Sequence, residues 1–310
     1  MRKVAIIGGG NVGATAAWQI ASRDVADVAL YDILPGVPAG KALDMSQAGP
    51  VFHFDARIEG SDDISIIRGA EVVVVTAGFP RKPGMDRMDL LKKNVDIAKA
   101  AALGIKQHAP NAVVVVITNP LDVMTWVIKT VTGFPKERVV GMAGVLDTAR
   151  FATFVAMELK CSPKDVRPMI LGGHGDTMVP LVRFSTVNGV PLSELMPAET
   201  VARLADRARN GGAEIVKLLG TGSAYYAPAA SATLMVEAIL GDTGRIVPAS
   251  AYLEGEYGFS GIYLGVPVAL GKGGVRRIIQ LPLDAAEKAA LAKSGESVRT
   301  GIAEAKPLLG

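Results

Sequence analysis

The sequence predicts an α/β chain, with a doubly wound parallel sheet in the first half and an α+β arrangement in the second. Three observations predict it. Short apolar runs alternate with helical stretches from Val4 to Gly141, and strands alternating with helices give a parallel sheet. A glycine-rich turn, Gly8-Gly9-Gly10-Asn11-Val12-Gly13, joins the first run to the first helix. Beyond residue 143 the alternation stops, and strands and helices come in runs of their own kind. The expected division is therefore 1–143 and 144–310.

Composition sets the outer limits. The chain has 310 residues and is 49% hydrophobic, enough to bury a core of one large or two medium domains. Its longest apolar runs, such as Val72–Val75 and Ala112–Ile117, are too short to span a bilayer. The run after Arg2 and Lys3 stops at Gly8, short of a signal-peptide core. Cys161 is the single cysteine, which fits a reducing compartment. A cytoplasmic protein is expected. The formal charge is +3 and the basic residues are dispersed. That pattern argues against nucleic-acid and membrane partners and suits a small anionic substrate.

In chain order, Val4–Ile7 reads as a buried strand and Ala14–Ser22 as a helix. A second strand, Val28–Tyr31, ends at Asp32, which follows Gly13 by 19 residues. Gly8, Gly10 and Gly13 between strand and helix, with an acid closing the next strand, form a dinucleotide fingerprint. Gly8 permits the tight turn, Gly10 lets a pyrophosphate approach the backbone, and Gly13 packs helix on strand. Asp32 suits the adenosine ribose hydroxyls and repels a 2′-phosphate, so NAD is favoured over NADP. The alternative is a glycine turn with no ligand.

The residues 36–48 read as a helix with Ala39, Leu43 and Met45 as core positions. Glu71–Thr76 is the next strand, followed by a loop holding Arg81 and Arg87. Two arginines six residues apart can clamp an anion, although charged turns are commonly only solvated surface. A long helix, Met88–Gln107, ends at His108. The strand 112–117 ends in Thr118-Asn119-Pro120 and leads to a helix through Trp126 and Ile128. Residues 138–141 form a short strand.

In the second half a helix spans 144–159, with Asp147 and Arg150 on one face. An intrahelical ion pair is the plain reading of those two. Residues 167–171 read as a strand leading into Gly172-Gly173-His174-Gly175-Asp176. Flanking glycines leave room for a ligand beside the imidazole, whose pKa suits proton transfer. A structural histidine is the alternative. Residues 179–187 read as a strand, 198–219 and 226–240 as helices, 246–253, 262–270 and 275–280 as antiparallel strands, and 283–305 as a terminal helix.

These motifs together resemble the lactate/malate dehydrogenase family along essentially the whole chain, and most of all its lactate-dehydrogenase-like bacterial malate enzymes. The match is carried by Gly8–Gly13, Asp32, Ala77–Arg87, Ile117–Pro120, Leu146–Arg150 and Gly172–Asp176. The resemblance implies a Rossmann domain over 1–143 and a substrate and catalytic domain over 144–310. It implies NAD as cofactor and malate and oxaloacetate as substrates. It makes His174 the proton acceptor, Asp147 its carboxylate partner, Arg150 the grip on the C1 carboxylate and Arg87 the group that polarises the reacting carbonyl. Asn119 contacts substrate. Gly8, Gly9, Gly10, Asn11, Val12, Gly13, Asp32, Asn94, Ile117, Thr118 and Asn119 contact cofactor. Arg81 reads the second carboxylate of malate, where lactate enzymes typically carry Gln. Gly222 stands where lactate enzymes typically have Thr and makes room for a bulkier substrate. A homotetramer, or a dimer, is expected. The alternatives are a lactate dehydrogenase, an NAD-dependent glycosidase and a non-catalytic nucleotide-binding protein.

Overall fold

The structure, a computed structural model, describes residues 2–79 and 86–310. Six parallel strands form its first half: β1 (Lys3–Ile7), β2 (Asp27–Tyr31), β3 (Ile58–Ser61), β4 (Val72–Val75), β5 (Val113–Val116) and β6 (Val139–Gly141), in the order 3-2-1-4-5-6. β4 and β5 are each four valines buried on both faces, as a sheet covered by helices on either side requires. The covering helices are α1 (Asn11–Ala21), α2 (Val37–Gln47), the single-turn α3 (Gly49–Phe52), α4 (Arg87–His108) and α5 (Leu121–Thr132). α4 starts where the Asp86 side chain accepts a hydrogen bond from the Met88 N–H and ends with Lys106 and His108 in its last turn, both matched to the helix dipole.

The second half opens with α6 (Gly144–Leu159) and adds the short strands β7 (Val166–Arg167), β8 (Ile170–Gly172), β9 (Met178–Pro180), β10 (Thr186–Val187) and β11 (Val190–Pro191). The helices α7 (Leu192–Leu195), α8 (Ala198–Leu219) and α9 (Tyr226–Leu240) follow. Three long antiparallel strands come next, β12 (Arg245–Glu254), β13 (Ser260–Gly271) and β14 (Gly274–Ile278), and α10 (Ala285–Ala305) closes the chain under a capping box of Asp284 and Glu287. β12 pairs with β6 through Ser250 and Gly141. The parallel sheet therefore continues into the antiparallel one, giving eleven strands among the described residues. One contiguous apolar core runs along it through both halves, and a second, smaller one lies between α6 and α8.

The architecture is the expected one, a Rossmann sheet followed by an α+β half. Four local expectations are corrected. β3 lies between the second strand and the valine strand, where no strand was expected. It is only Ile-Glu-Gly-Ser, and a Cβ at Gly60 would fall 2.0 Å from the Pro38 carbonyl, so its glycine serves close packing of α2. On α2 the buried residues are Pro38 and Ala42, whereas Ala39 is exposed and Leu43 is 61% exposed. The stretch 167–171 is two strands in two different sheets. The stretch 179–187 breaks at Leu181 into β9, a 3₁₀ turn and β10. Local apolarity alone could not place those breaks.

Candidate active site

The glycine turn lies between β1 and α1, and each glycine has its own reason. Gly8 has φ of 111°, and a Cβ there would meet the Ala77 N and Thr76 Oγ1 at 2.6 Å. A Cβ on Gly13 would stand 1.8 Å from the Gly8 carbonyl oxygen. A Cβ on Gly10 would meet nothing within 4 Å. Gly8 and Gly13 are thus demanded by the fold, while Gly10 faces open space. Gly10 is also the N-cap of α1 and gives no side-chain cap, so the first-turn N–H groups around Asn11, Val12 and Gly13 are free to hold an anion. At the end of β2, Asp32 accepts from the Gly9 N–H at 2.6 Å and from the Leu34 N–H at 3.1 Å. That leaves oxygen lone pairs for a diol. Lys41 on α2 donates to the Gly9 carbonyl at 2.6 Å. It is a cation beside the turn that the sequence reading missed. These residues fit a dinucleotide: the free N–H groups at the start of α1 could take its phosphates and Asp32 a ribose diol.

A cavity of about 450 Å³ opens beyond the ends of β4 and β5. Val12, Asn94, Ile117, Thr118, Asn119, Arg150 and His174 all line it. Asn94 is nearly buried, and its amide is taken up by the backbone: its Oδ1 accepts from the Phe79 N–H at 2.6 Å, and its Nδ2 donates to the carbonyls of Phe79 and Asn119. It ties the strand ends together. Thr118 does the same, donating to the Ala77 carbonyl at 2.7 Å.

His174 sits on the turn between β8 and β9, its side chain 13% exposed. Its Nδ1 lies 3.1 Å from the Asp147 Oδ2, the spacing of a ring N–H donating to a carboxylate. Burial lowers the histidine's pKa. Asp147, by charge and by hydrogen bond, and then the Asp122 charge outweigh that, against a small opposing push from Arg150, and the net shift is upward. The turn itself is pinned by two more helices. The Gly173 N–H donates to the Ser294 Oγ of α10 at 2.7 Å, and the His174 N–H to the Asp122 Oδ2 of α5 at 3.0 Å. Sequence reading passed over Asp122, Ser294 and Ser250. The available signal was a lone acid in the largely apolar first half of the helix Leu121–Thr132.

Asp147 and Arg150 share a face of α6, but among the described residues they form no ion pair. Asp147 faces His174, and the Nε of Arg150 is buried with no hydrogen-bond partner among those residues. Burial works against its charge, partly relieved by Asp147. Its side chain lies on α8, where a Cβ on Gly211 would come 3.2 Å from the Arg150 Cδ and a Cβ on Gly212 3.3 Å from its Nη2. A partly buried guanidinium at the cavity wall, its Nε without a partner among the described residues, beside an imidazole, suits a carboxylate whose neighbouring carbon carries a hydroxyl that exchanges a proton. Arg209 and Asn210 of α8 also line the cavity. Gly222 lies in the turn after α8, with φ of 85°, next to Ser223 at the cavity wall.

The structure does not bring Arg87 into this group. At the start of α4, 68% exposed, it pairs with Glu304 of α10 at 3.1 Å. Arg81 lies outside the described residues.

Comparison with known proteins agrees with this geometry. Residues 2–141 match the family model for the lactate/malate dehydrogenase NAD-binding domain, and residues 144–308 match that for the lactate/malate dehydrogenase alpha/beta C-terminal domain. Over 300 residues the chain is 56% identical to a malate dehydrogenase of Bacillus cereus, covering 96% of each. It superposes on the apo malate dehydrogenase of Picrophilus torridus with a TM-score of 0.97 at 42% identity, covering 99% of this chain and 98% of that one. It is also similar to the lactate dehydrogenase of Cryptosporidium parvum complexed with lactic acid and nicotinamide adenine dinucleotide, with a TM-score of 0.95 at 41% identity and 98% coverage of both chains. The chain belongs to the lactate/malate dehydrogenase family, and with it to the NAD-dependent oxidoreductases.

Proposed function

We propose that the protein catalyses the reversible NAD-dependent oxidation of (S)-malate to oxaloacetate, with His174 as the proton carrier. The observation that carries this reading is the His174 and Asp147 pair, 3.1 Å apart, at the wall of a cavity that also holds the unpartnered Arg150.

Bound NAD⁺ supplies the hydride acceptor, and the protein supplies position and field. Gly8–Gly13 and Asp32 hold the cofactor, with Asn94, Ile117, Thr118 and Asn119 shaping its nicotinamide end. Arg150 grips the C1 carboxylate. Neutral His174 accepts the hydroxyl proton, and Asp147 fixes the ring tautomer and stabilises the imidazolium. In the reverse direction the imidazolium returns that proton. Arg87 leaves Glu304 to stabilise charge on the reacting oxygen. Arg81 pairs with the distal carboxylate, which lactate lacks. Gly222 leaves space for it.

The work divides between a cofactor unit over 1–143 and a substrate unit over 144–310. The reaction belongs to the tricarboxylic acid cycle, and a cytoplasmic enzyme fits the single free Cys161. Among the described residues no helix is long and apolar enough to cross a membrane. A homotetramer, or a dimer, is supported by the apolar side chains of Leu43, Val51 and Phe52, which are 61 to 73% exposed on neighbouring turns.

The test is NADH oxidation with oxaloacetate and with pyruvate side by side, repeated with NADPH. Strong preference for oxaloacetate and NADH is expected. Preference for pyruvate would make this a lactate enzyme and would reject the role of Arg81. A glycosidase or a plain binding module leaves the Asp147, Arg150 and His174 set without a task.

A further inference from the structure

Asp122 has no part in the reaction as described so far, yet it is the carboxylate built most firmly around His174. It lies in the first turn of α5 and is 6% exposed. Both its oxygens are used: Oδ1 accepts from the Ser250 hydroxyl of β12 at 2.6 Å, and Oδ2 accepts from the His174 N–H at 3.0 Å. Both donors are neutral. Among the described residues no lysine or arginine forms an ion pair with it. A buried carboxylate with no cation is costly, and a hydroxyl or amide at this place would serve a merely structural bond more cheaply. The nearby group that can become a cation is the His174 ring.

We propose that Asp122 is a positioning residue for the proton carrier: its carboxylate fixes the His174 backbone and acts as a second fixed negative charge that stabilises the imidazolium. The inference rests on the reading of His174 given above. The charged groups facing that ring are Asp147 and Arg150 from α6 and Asp122 from α5. The coupling is reciprocal, as it must be. Burial, above all, and then the Asp147 charge raise the Asp122 carboxyl; the Ser250 and His174 N–H bonds and the charge on His174 lower it, and the net shift is upward. A proton arriving on His174 thus eases the charge on Asp122. Three helices meet at this one turn, with α6 holding the ring, α10 the Gly173 N–H and α5 the His174 N–H. Of these, α5 and α6 bring charge.

The Asp122→Asn variant separates clamp from charge. Its Oδ1 can still accept from the His174 N–H, and its Nδ2 can donate to the Ser250 hydroxyl turned to accept. The chain has three histidines, His53, His108 and His174, so imidazole nitrogen NMR on the labelled full-length protein resolves each, with His174→Asn assigning the third. In D122N the His174 titration moves to lower pH while His53 and His108 stay. The pH limb of malate oxidation moves the same way, and kcat falls about tenfold with KM and NADH affinity held within about twofold. An unmoved His174 titration overturns the proposal, as does a kcat loss matched by equal losses in NADH affinity and melting temperature. If D122N does not fold, Asp122→Ser takes its place. It removes the charge, keeps an acceptor at this position and is expected to move the His174 titration to lower pH as well. The NMR titration needs no turnover, so full activity in H174N would reject His174 as the proton carrier while leaving this measurement to judge Asp122.

Discussion

The guanidinium of Arg150 lies across α8 at Gly212, where a Cβ would stand 3.3 Å from its Nη2. A glycine inside a helix weakens it by up to about 1 kcal/mol against alanine. Gly212→Ala is therefore expected to raise the melting temperature while pushing the guanidinium off its seat. The KM for oxaloacetate should rise several-fold with kcat less affected. Thermal melts and initial rates on the same preparation check this. A stabilised protein with unchanged KM would mean that Arg150 does not need that seat.

Gly10 and Gly13 belong to one motif but answer to different demands. At Gly10 an added methyl meets nothing within 4 Å, so Gly10→Ala should fold and melt like the parent yet bind NADH at least about tenfold more weakly, because the methyl occupies the phosphate path. Gly13→Ala should lower the melting temperature outright. NADH titration by fluorescence with parallel melts tests both. Intact NADH affinity in G10A would move the pyrophosphate elsewhere.

His174→Asn should retain NADH binding and lose turnover on the order of 10²-fold or more, the usual contribution of a positioned acid–base group. Single-turnover rates beside cofactor titration decide it.

The pH dependence has a definite sign. The pKa of His174 is raised above its ordinary 6.5 because Asp147 and Asp122 together outweigh burial. Malate oxidation needs the neutral ring, so its rate should fall as the pH drops through that raised value. Oxaloacetate reduction needs the imidazolium and should fall as the pH rises through it. The same shift makes the protonated ring contribute to stability below pH 6.5, a contribution lost as the pH climbs through the raised value. Asp147→Asn should move both rate limbs to lower pH. An oxidation limb that stays in place in Asp147→Asn while the reduction limb moves would contradict a single proton carrier.

Arg81→Gln should cause a large loss toward oxaloacetate and a relative gain toward pyruvate, since a cation facing the distal carboxylate would be gone. The ratio of the two kcat/KM values is the measurement. An unchanged ratio would mean that Arg81 does not read that carboxylate.

Much of this was legible because the sequence states it locally. Val72–Val75 and Val113–Val116 read as buried strands and are β4 and β5. Gly8, Gly13 and Asp32 read as a cofactor turn; Gly8 and Gly13 stand where a Cβ would clash with the backbone, and Asp32 accepts from the Gly9 N–H. Arg150 and Asp147 were visible as a pair on one face of α6, but not that Asp147 turns to His174 while Arg150 lies against α8. That choice depends on α8 and on the turn after β8, far away in sequence. Asp122 was illegible for the same reason. A single acid in the first turn of a helix ordinarily answers the helix dipole, and nothing in Leu121–Thr132 reveals that Ser250 and His174 converge on it. β3 was missed because four residues with a central glycine carry no strand periodicity.

The join between the two halves has an evolutionary consequence. Gly141 of β6 meets Ser250 of β12 across the sheet, and a Cβ on Gly141 would fall 2.8 Å from that of Ser250. The Ser250 hydroxyl in turn holds Asp122, which belongs to the cofactor half. The nucleotide-binding half is therefore not a cassette that recombination could lift intact onto another substrate unit. Cut free, it would carry a bare sheet edge at β6, open to pairing with other chains, and a buried carboxylate stripped of both its donors. New substrates in this lineage are more readily reached by exchanging side chains and loops around Arg150 and His174 than by shuffling halves.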